Sequence, residues 1–296
     1  MPDRHLPEEL IEALNRLPIW SSVVADPDLC PEIRGGKVTV YFSGCGILRD
    51  LRLQDGKVSG SINVAHVPLA ASGRHDVQMT WHPEDGFQFE IAPSALPLGL
   101  CGPDVLNTYK AKAQIRPEQK LLRAMLRHPR NQGLVLDQEI AFSGRTERID
   151  LCYFDTRLYQ LAFLELKRVD DPRLYSRGGE LPEVLDLLRR YAQCLQDEEP
   201  KILTSFQQCL DLKRERLGLG NRVARIPKST DLRLCPRPIL GIGGCSEALV
   251  REILSGEGCW KPLMDGLPDV ASALYLCGDD GFTLGGTGNH MRAWKT

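Results

Sequence analysis

Arg148-Ile-Asp-Leu-Cys-Tyr-Phe-Asp-Thr-Arg-Leu-Tyr-Gln-Leu-Ala-Phe-Leu-Glu-Leu-Lys-Arg168 contains two β-like runs, Arg148–Phe154 and Tyr159–Arg168. Side chains alternate along a strand, so Glu165 and Lys167 project from one face while Ala162, Leu164 and Leu166 occupy the other. A carboxylate and an ammonium within such an apolar run are costly to bury without partners. Asp150 repeats the pattern between Ile149 and Leu151. If the two runs pair as a hairpin through 155–159, both acids come to one edge and form a carboxylate–carboxylate–lysine cluster. Hard oxygen ligands of this kind suit Mg²⁺ or Mn²⁺. The tripeptide alone carries little, because Asp/Glu-x-Lys also stands at 55–57, 118–120, 199–201 and 211–213. Only 165–167 combines strand alternation with an acid-bearing run upstream.

Outward from this segment, the chain divides into two regions of different pattern. Residues 1–105 read as a smaller, mainly antiparallel β accessory domain. It opens with a helix over Glu8–Leu17, carrying Leu10, Ile11, Leu14 and Leu17, that Pro18 stops. Short runs then flank two Asp-Gly turns, Asp55-Gly56 and Asp85-Gly86, which are hairpin signals. Ala92–Gly102, rich in Pro and Gly, is the expected linker. Residues 106–296 change order: a helix over Glu118–Leu126, three strands, a helix over 182–196, a strand over Pro238–Ile242, a helix over 246–254 and a strand near Ala271–Leu276. This order predicts an α/β sandwich around a mixed sheet flanked by helices. Residues 213–237 read as a basic loop.

The 296 residues are 42% hydrophobic and 26% charged, which excludes wholesale disorder and fibrous repeats. Ten cysteines include no Cys-x-x-Cys pair, which argues against a zinc knuckle or finger. Acids stand where a signal peptide would have its apolar stretch, so a cytoplasmic location and reduced thiols are expected, with no membrane partner. The net charge of −2 hides an asymmetry. Residues 1–109 carry 8 Lys/Arg against 14 Asp/Glu, whereas 110–237 carry 25 against 18. A basic middle could steer a polyanion. Lys120, Arg123, Arg190, Lys213, Arg214 and Arg222 are its candidate phosphate contacts.

Ile149-Asp-Leu151 followed by Phe163-Leu-Glu-Leu-Lys167 resembles the core of the PD-(D/E)XK nuclease superfamily, over roughly residues 110–280. The resemblance implies a restriction-endonuclease-like fold and metal-dependent hydrolysis of phosphodiester bonds in nucleic acid, DNA foremost, in repair, restriction or anti-phage defence. It implies Asp150 and Glu165 as Mg²⁺ (or Mn²⁺) ligands, and Lys167 as the cation that positions the attacking water. It also implies an acid on the preceding helix as a further ligand, for which Glu118 is suited, sharing a helical face with Leu121, Leu122 and Met125. The chain departs from the pattern in two places. Ile149 stands where proline is common, and Leu187 stands where recombination-nuclease relatives carry Gln before Tyr191. The accessory domain would bind substrate, a regulator, a second copy or another subunit. One alternative is a catalytically inactive nuclease-like module binding nucleic acid, a nucleotide signal or a protein partner. Another is a plain scaffold in which the charged trio is a salt bridge between strands.

Overall fold

The computed structural model describes residues 4–63, 76–82, 86–90, 96–100, 106–107, 110–111, 115–142, 148–228, 232–279, 281, 283–284 and 290–293. The chain forms two compact units, Pro2–Ile115 with Gln208–Gly220, and Arg116–Gln207 with Asn221–Thr296.

In the first unit, helix α1 (Glu8–Arg16) buries Leu10, Ile11 and Leu14. Pro18 ends α1 and begins α2 (Pro18–Ala25), because its fixed φ and missing N–H are harmless in a first helical turn. Seven strands then follow in sequence order, every neighbouring pair antiparallel: β1 (Leu29–Arg34), β2 (Lys37–Phe42), β3 (Cys45–Gln54), β4 (Lys57–Asn63), β5 (Asp76–His82), β6 (Gly86–Glu90) and β7 (Leu96–Leu100). Asp55 and Gly56, at φ of 50° and 73°, turn β3 into β4 as the Asp-Gly signal requires. Sequence reading passes over β1, whose Pro31 is tolerated because β1 is an edge strand. Of the expected linker, residues 96–100 are β7 instead, and 92–95 and 101–102 lie outside the described residues.

The expected boundary at 105/106 also moves. The first unit runs to Ile115 and takes in Gln208–Gly220, part of the expected basic loop. Residues Leu212–Arg216 wind as a π-helical turn, and Gly220–Val223 form a 3₁₀ turn. The Lys213 ammonium lies 2.7 Å from the Glu32 carboxylate, both side chains buried. Nearby, Trp20 Nε1 donates to the Leu217 carbonyl at 3.3 Å, and Asn15 Nδ2 to that of Arg216 at 2.9 Å. These contacts span about two hundred residues of chain, and no local periodicity encodes such a pairing.

The second unit holds α3 (Pro117–Arg127), β8 (Val135–Ala141), β9 (Arg148–Asp155), β10 (Gln160–Arg168), α4 (Glu183–Asp197), α5 (Glu199–Asp211, which runs on into the first unit's segment), β11 (Arg233–Leu234), β12 (Ile239–Gly243), α6 (Glu247–Ser255), α7 (Lys261–Val270), β13 (Ala273–Leu276) and β14 (His290–Ala293). It is α/β. Its mixed sheet runs β14-β13-β12-β10-β9-β8, with β11 also paired to β10. β8, β9 and β10 are antiparallel, whereas β10, β12 and β13 are parallel. Leu240, Ile242, Leu274 and Leu276 of the sheet form one core with Val184, Leu185 and Leu188 of α4, Val250 and Ile253 of α6, and Leu263, Leu267 and Val270 of α7. Sequence reading missed α7, where Pro262 sits harmlessly in the first turn but Pro268 interrupts the interior.

Among the described residues no helix is long and apolar enough to cross a membrane. The nine described cysteines are all free.

Removing one partner of a buried ion pair strands the other charge. Lys213→Ala should therefore destabilise the protein by roughly 3–5 kcal/mol in urea denaturation, and Lys213→Met with Glu32→Leu should recover most of that loss. Equal stability of Lys213→Ala and wild type would refute the assignment.

Candidate active site

The β9–β10 hairpin pairs Asp155 with Gln160 and continues to Leu151 opposite Leu164, where the ladder stops. From there β9 continues beside β8, with Ile149 opposite Ile140 and Arg148 opposite Ala141. Meanwhile β10 continues beside β12, with Glu165 opposite Leu240 and Lys167 opposite Ile242. The strands part at the point where the charged residues stand. Cys152 faces Phe163 across the hairpin, so the even positions of β9 share a face with the odd positions of β10. Asp150, Glu165 and Lys167 thus lie on one face. In the notch, Asp150 Oδ2 accepts a hydrogen bond from the Leu166 backbone N–H at 2.7 Å, replacing the lost ladder bond.

Lys167 Nζ donates to Glu165 Oε1 at 2.5 Å and to the Leu166 carbonyl at 2.8 Å. Glu165 and Lys167 are each only 3% exposed. Glu165 Oε2 is buried and has no hydrogen-bond partner among the described residues. The ammonium is thus bonded to one carboxylate, Glu165, and acts on the other, Asp150, only through its charge. Burial, and next the Asp150 charge, push the Glu165 carboxyl up to about 8, with Lys167 pulling down without cancelling them. Burial raises Asp150 as well, against the opposing pull of Lys167 and the Leu166 N–H. For Lys167, burial works to lower the pKa, but the Glu165, Asp150 and Glu118 carboxylates together raise it.

Helix α3 reaches this edge by close packing. A Cβ at Gly243, the last residue of β12, would come within 2.2 Å of Leu121 Cδ2, so only glycine lets α3 settle there. Glu118, one turn earlier, has a 38% exposed side chain and lies 3.6 Å from Arg173 Nη2. Its pKa is raised, by burial first and also by a hydrogen bond with Asp171 and the Asp150 charge. Sequence reading passed over Asp171 and Arg173. They follow β10 in a 3₁₀ turn, Pro172–Leu174, that Asp171 caps by accepting from the Arg173 N–H. Burial alone would raise Asp171, but its bonds from Arg173 hold it down at about 2. Asp-Asp-Pro-Arg directly after a charged strand end was the signal that could have found them.

An open pocket of about 400 Å³ is lined by Arg148, Glu165, Arg173, Glu183, Asp186, Leu187, Arg190 and Tyr191. Of the candidate phosphate contacts, Arg190 shares this pocket with Glu165. Lys120 is exposed, and Arg123 and Arg222 are half-buried in the same unit. Lys213 and Arg214 belong to the other unit. Lys213 is not a surface cation as expected, since its ammonium is buried against Glu32. Asp137 is buried, and its Oδ1 accepts a hydrogen bond from the Gln138 backbone N–H at 2.8 Å. Gly241-Ile-Gly-Gly-Cys245 forms a tight strand-to-helix turn, with Gly244 at φ 81° and Ser246 capping α6.

Asp150 and Glu165 offer oxygen donors only, and Glu165 Oε2 is a buried acceptor with no hydrogen-bond partner among the described residues. Among the described residues no three His, Cys, Asp or Glu side chains are gathered as a ready-made metal cage, and Glu118 does not join the other two in one. Two carboxylates nonetheless fit Mg²⁺, which keeps several waters and takes its other ligands from substrate phosphates. Comparison with protein-family models, curated proteins and solved structures finds no match.

A carboxyl raised in the folded state binds its proton more tightly there than in the unfolded chain. Its contribution is fully present below the ordinary value of 4.5 and is lost as pH rises toward about 8. Metal-free protein should therefore lose stability across that window in thermal melts. Glu165→Gln should flatten the slope and melt higher than wild type at neutral pH. Parallel pH profiles for the two proteins would contradict the raised carboxyl.

Proposed function

We propose that the chain is a divalent-metal-dependent nuclease with a restriction-endonuclease-like second unit, hydrolysing phosphodiester bonds in nucleic acid, DNA foremost. The observation that carries this reading is the buried, unpartnered oxygen of Glu165 beside Asp150 and Lys167, at the point where β9 and β10 part. The order α3, antiparallel β8–β10, α4 and parallel β12 supports the fold resemblance. So does the alignment of Ile149-Asp-Leu151 and Phe163-Leu-Glu-Leu-Lys167 on adjacent strands.

In this reading Asp150 and Glu165 hold Mg²⁺ or Mn²⁺. When bound, the ion lowers the pKa of its water and polarises a phosphate oxygen. Asp150 is oriented for this by the Leu166 N–H. Lys167, fixed by Glu165 and the Leu166 carbonyl, orients the attacking water and keeps positive charge where negative charge grows at phosphorus. The low exposure of both groups excludes bulk water and strengthens these interactions.

A second reading, a catalytically inactive module that binds nucleic acid, a nucleotide signal or a protein, is favoured by one observation. Lys167 already occupies Glu165 Oε1, and among the described residues no third carboxylate completes a cage. Cleavage assays separate the two. Incubation with linear, circular and single-stranded nucleic acids should show cutting in Mg²⁺ or Mn²⁺ and none in chelator. Asp150→Ala, Glu165→Ala and Lys167→Ala should each lower the rate by ~10²-fold or more. Wild type that cuts nothing with either metal would favour the binding module.

A further inference from the structure

We propose that Arg173 is a substrate-binding residue whose guanidinium seats the phosphodiester group next to Glu165; this rests on the nuclease reading above. The side chain is built for the task by its anchoring. Arg173 Nε donates to both Asp171 oxygens, at 3.0 and 3.2 Å, and Nη2 donates to Asp171 Oδ2 at 2.5 Å. The Arg173 backbone N–H bonds the same carboxylate at 2.9 Å. Asp171 is itself buried at the end of β10's turn, so the fork is pinned along one edge to a rigid element. Nη1 donates to no group among the described residues.

Arg173 keeps 42% of its side chain exposed and lines the pocket that also holds Glu165, with Arg148 and Arg190 on the same wall set. Three arginines line the pocket together with three acids, Glu165, Glu183 and Asp186, and Asp186 is paired with Arg189 outside it. The Nη1 edge of Arg173 is the part of this wall left to receive an oxygen-rich anion. Guanidinium planes match phosphate oxygens in pairs, and a pre-anchored fork loses little freedom on binding. Glu165 lines the same pocket, and its Oε2 has no hydrogen-bond partner among the described residues, so it can accept from a donor-bearing or cation-bearing ligand. A phosphate bound between Arg173 and a metal held by Asp150 and Glu165 meets both requirements.

The test uses the full chain and a fluorescein-labelled single-stranded DNA, with anisotropy read in chelator over a salt series. Arg173→Ala should weaken binding about 10-fold and reduce the slope of log affinity against log salt by about one. Arg173→Lys, which keeps the charge and a bond to Asp171, should recover the slope but not the full affinity. Mn²⁺ affinity by calorimetry should stay within about 2-fold of wild type in both variants, since neither removes a carboxylate. In Mg²⁺, KM should rise more than kcat falls. If wild type cleaves DNA while both variants match it in affinity, salt slope and KM, this inference fails and the nuclease reading stands. If wild type neither binds nor cuts nucleic acid, the nuclease reading fails first. Should Arg173→Ala not fold, Arg173→Lys decides alone, and wild-type affinity in it overturns the proposal.

Discussion

Two buried carboxyls beside one buried ammonium organise the second unit's candidate site. Lys167 is hydrogen-bonded to Glu165 and acts on Asp150 through its charge, and the sheet around them is largely apolar. Such an arrangement is unfavourable on its own, because each group has left water and pairing recovers only part of the loss. Packing elsewhere must therefore hold it in place. The core shared by β12, β13, α4, α6 and α7 is large and dry enough to do so. Of the two Glu165 oxygens, one is bonded to Lys167 and the other has no hydrogen-bond partner among the described residues.

The scaffold aims these groups by three ordinary devices. Strand divergence after Leu151 frees the Leu166 N–H to orient Asp150. A glycine at 243 lets Leu121 pack against the end of β12, which brings Glu118 to the same edge. The 3₁₀ turn after β10 returns Asp171 and Arg173 beside Glu118. Each device is local, and together they bring Asp150, Glu165, Glu118, Asp171, Lys167 and Arg173 close enough to act on one another's charge, though not into one cage. In the first unit a different buried pair, Lys213 with Glu32, ties a segment of the middle of the chain to an antiparallel sheet.

Much of the secondary structure was legible because its signals are local. The apolar periodicity of Val184, Leu187, Leu188, Tyr191 and Leu195 marks α4, and all five are buried. Strand alternation with charges at 150, 165 and 167 marked the trio that the hairpin register places on one face. Elements with conflicting signals were missed. Pro31 obscures β1, which survives as an edge strand, and Pro268 obscures α7, whose apolar side is held by α4 and the sheet. Lys213 reads as a surface cation because nothing near it in sequence announces Glu32.

By itself the sequence determined which segments alternate, which wind, and which carry charge within apolar runs, since these depend on neighbours a few residues apart. Only the tertiary structure decided that the β9–β10 ladder stops at Leu151, that Arg173 rather than a surface lysine shares a pocket with Glu165, and that residues 208–220 belong with the first unit. Those outcomes turn on contacts between distant parts of the chain. Burial, register and the need to pair every buried charge select them, and none of these can be evaluated until the chain has folded.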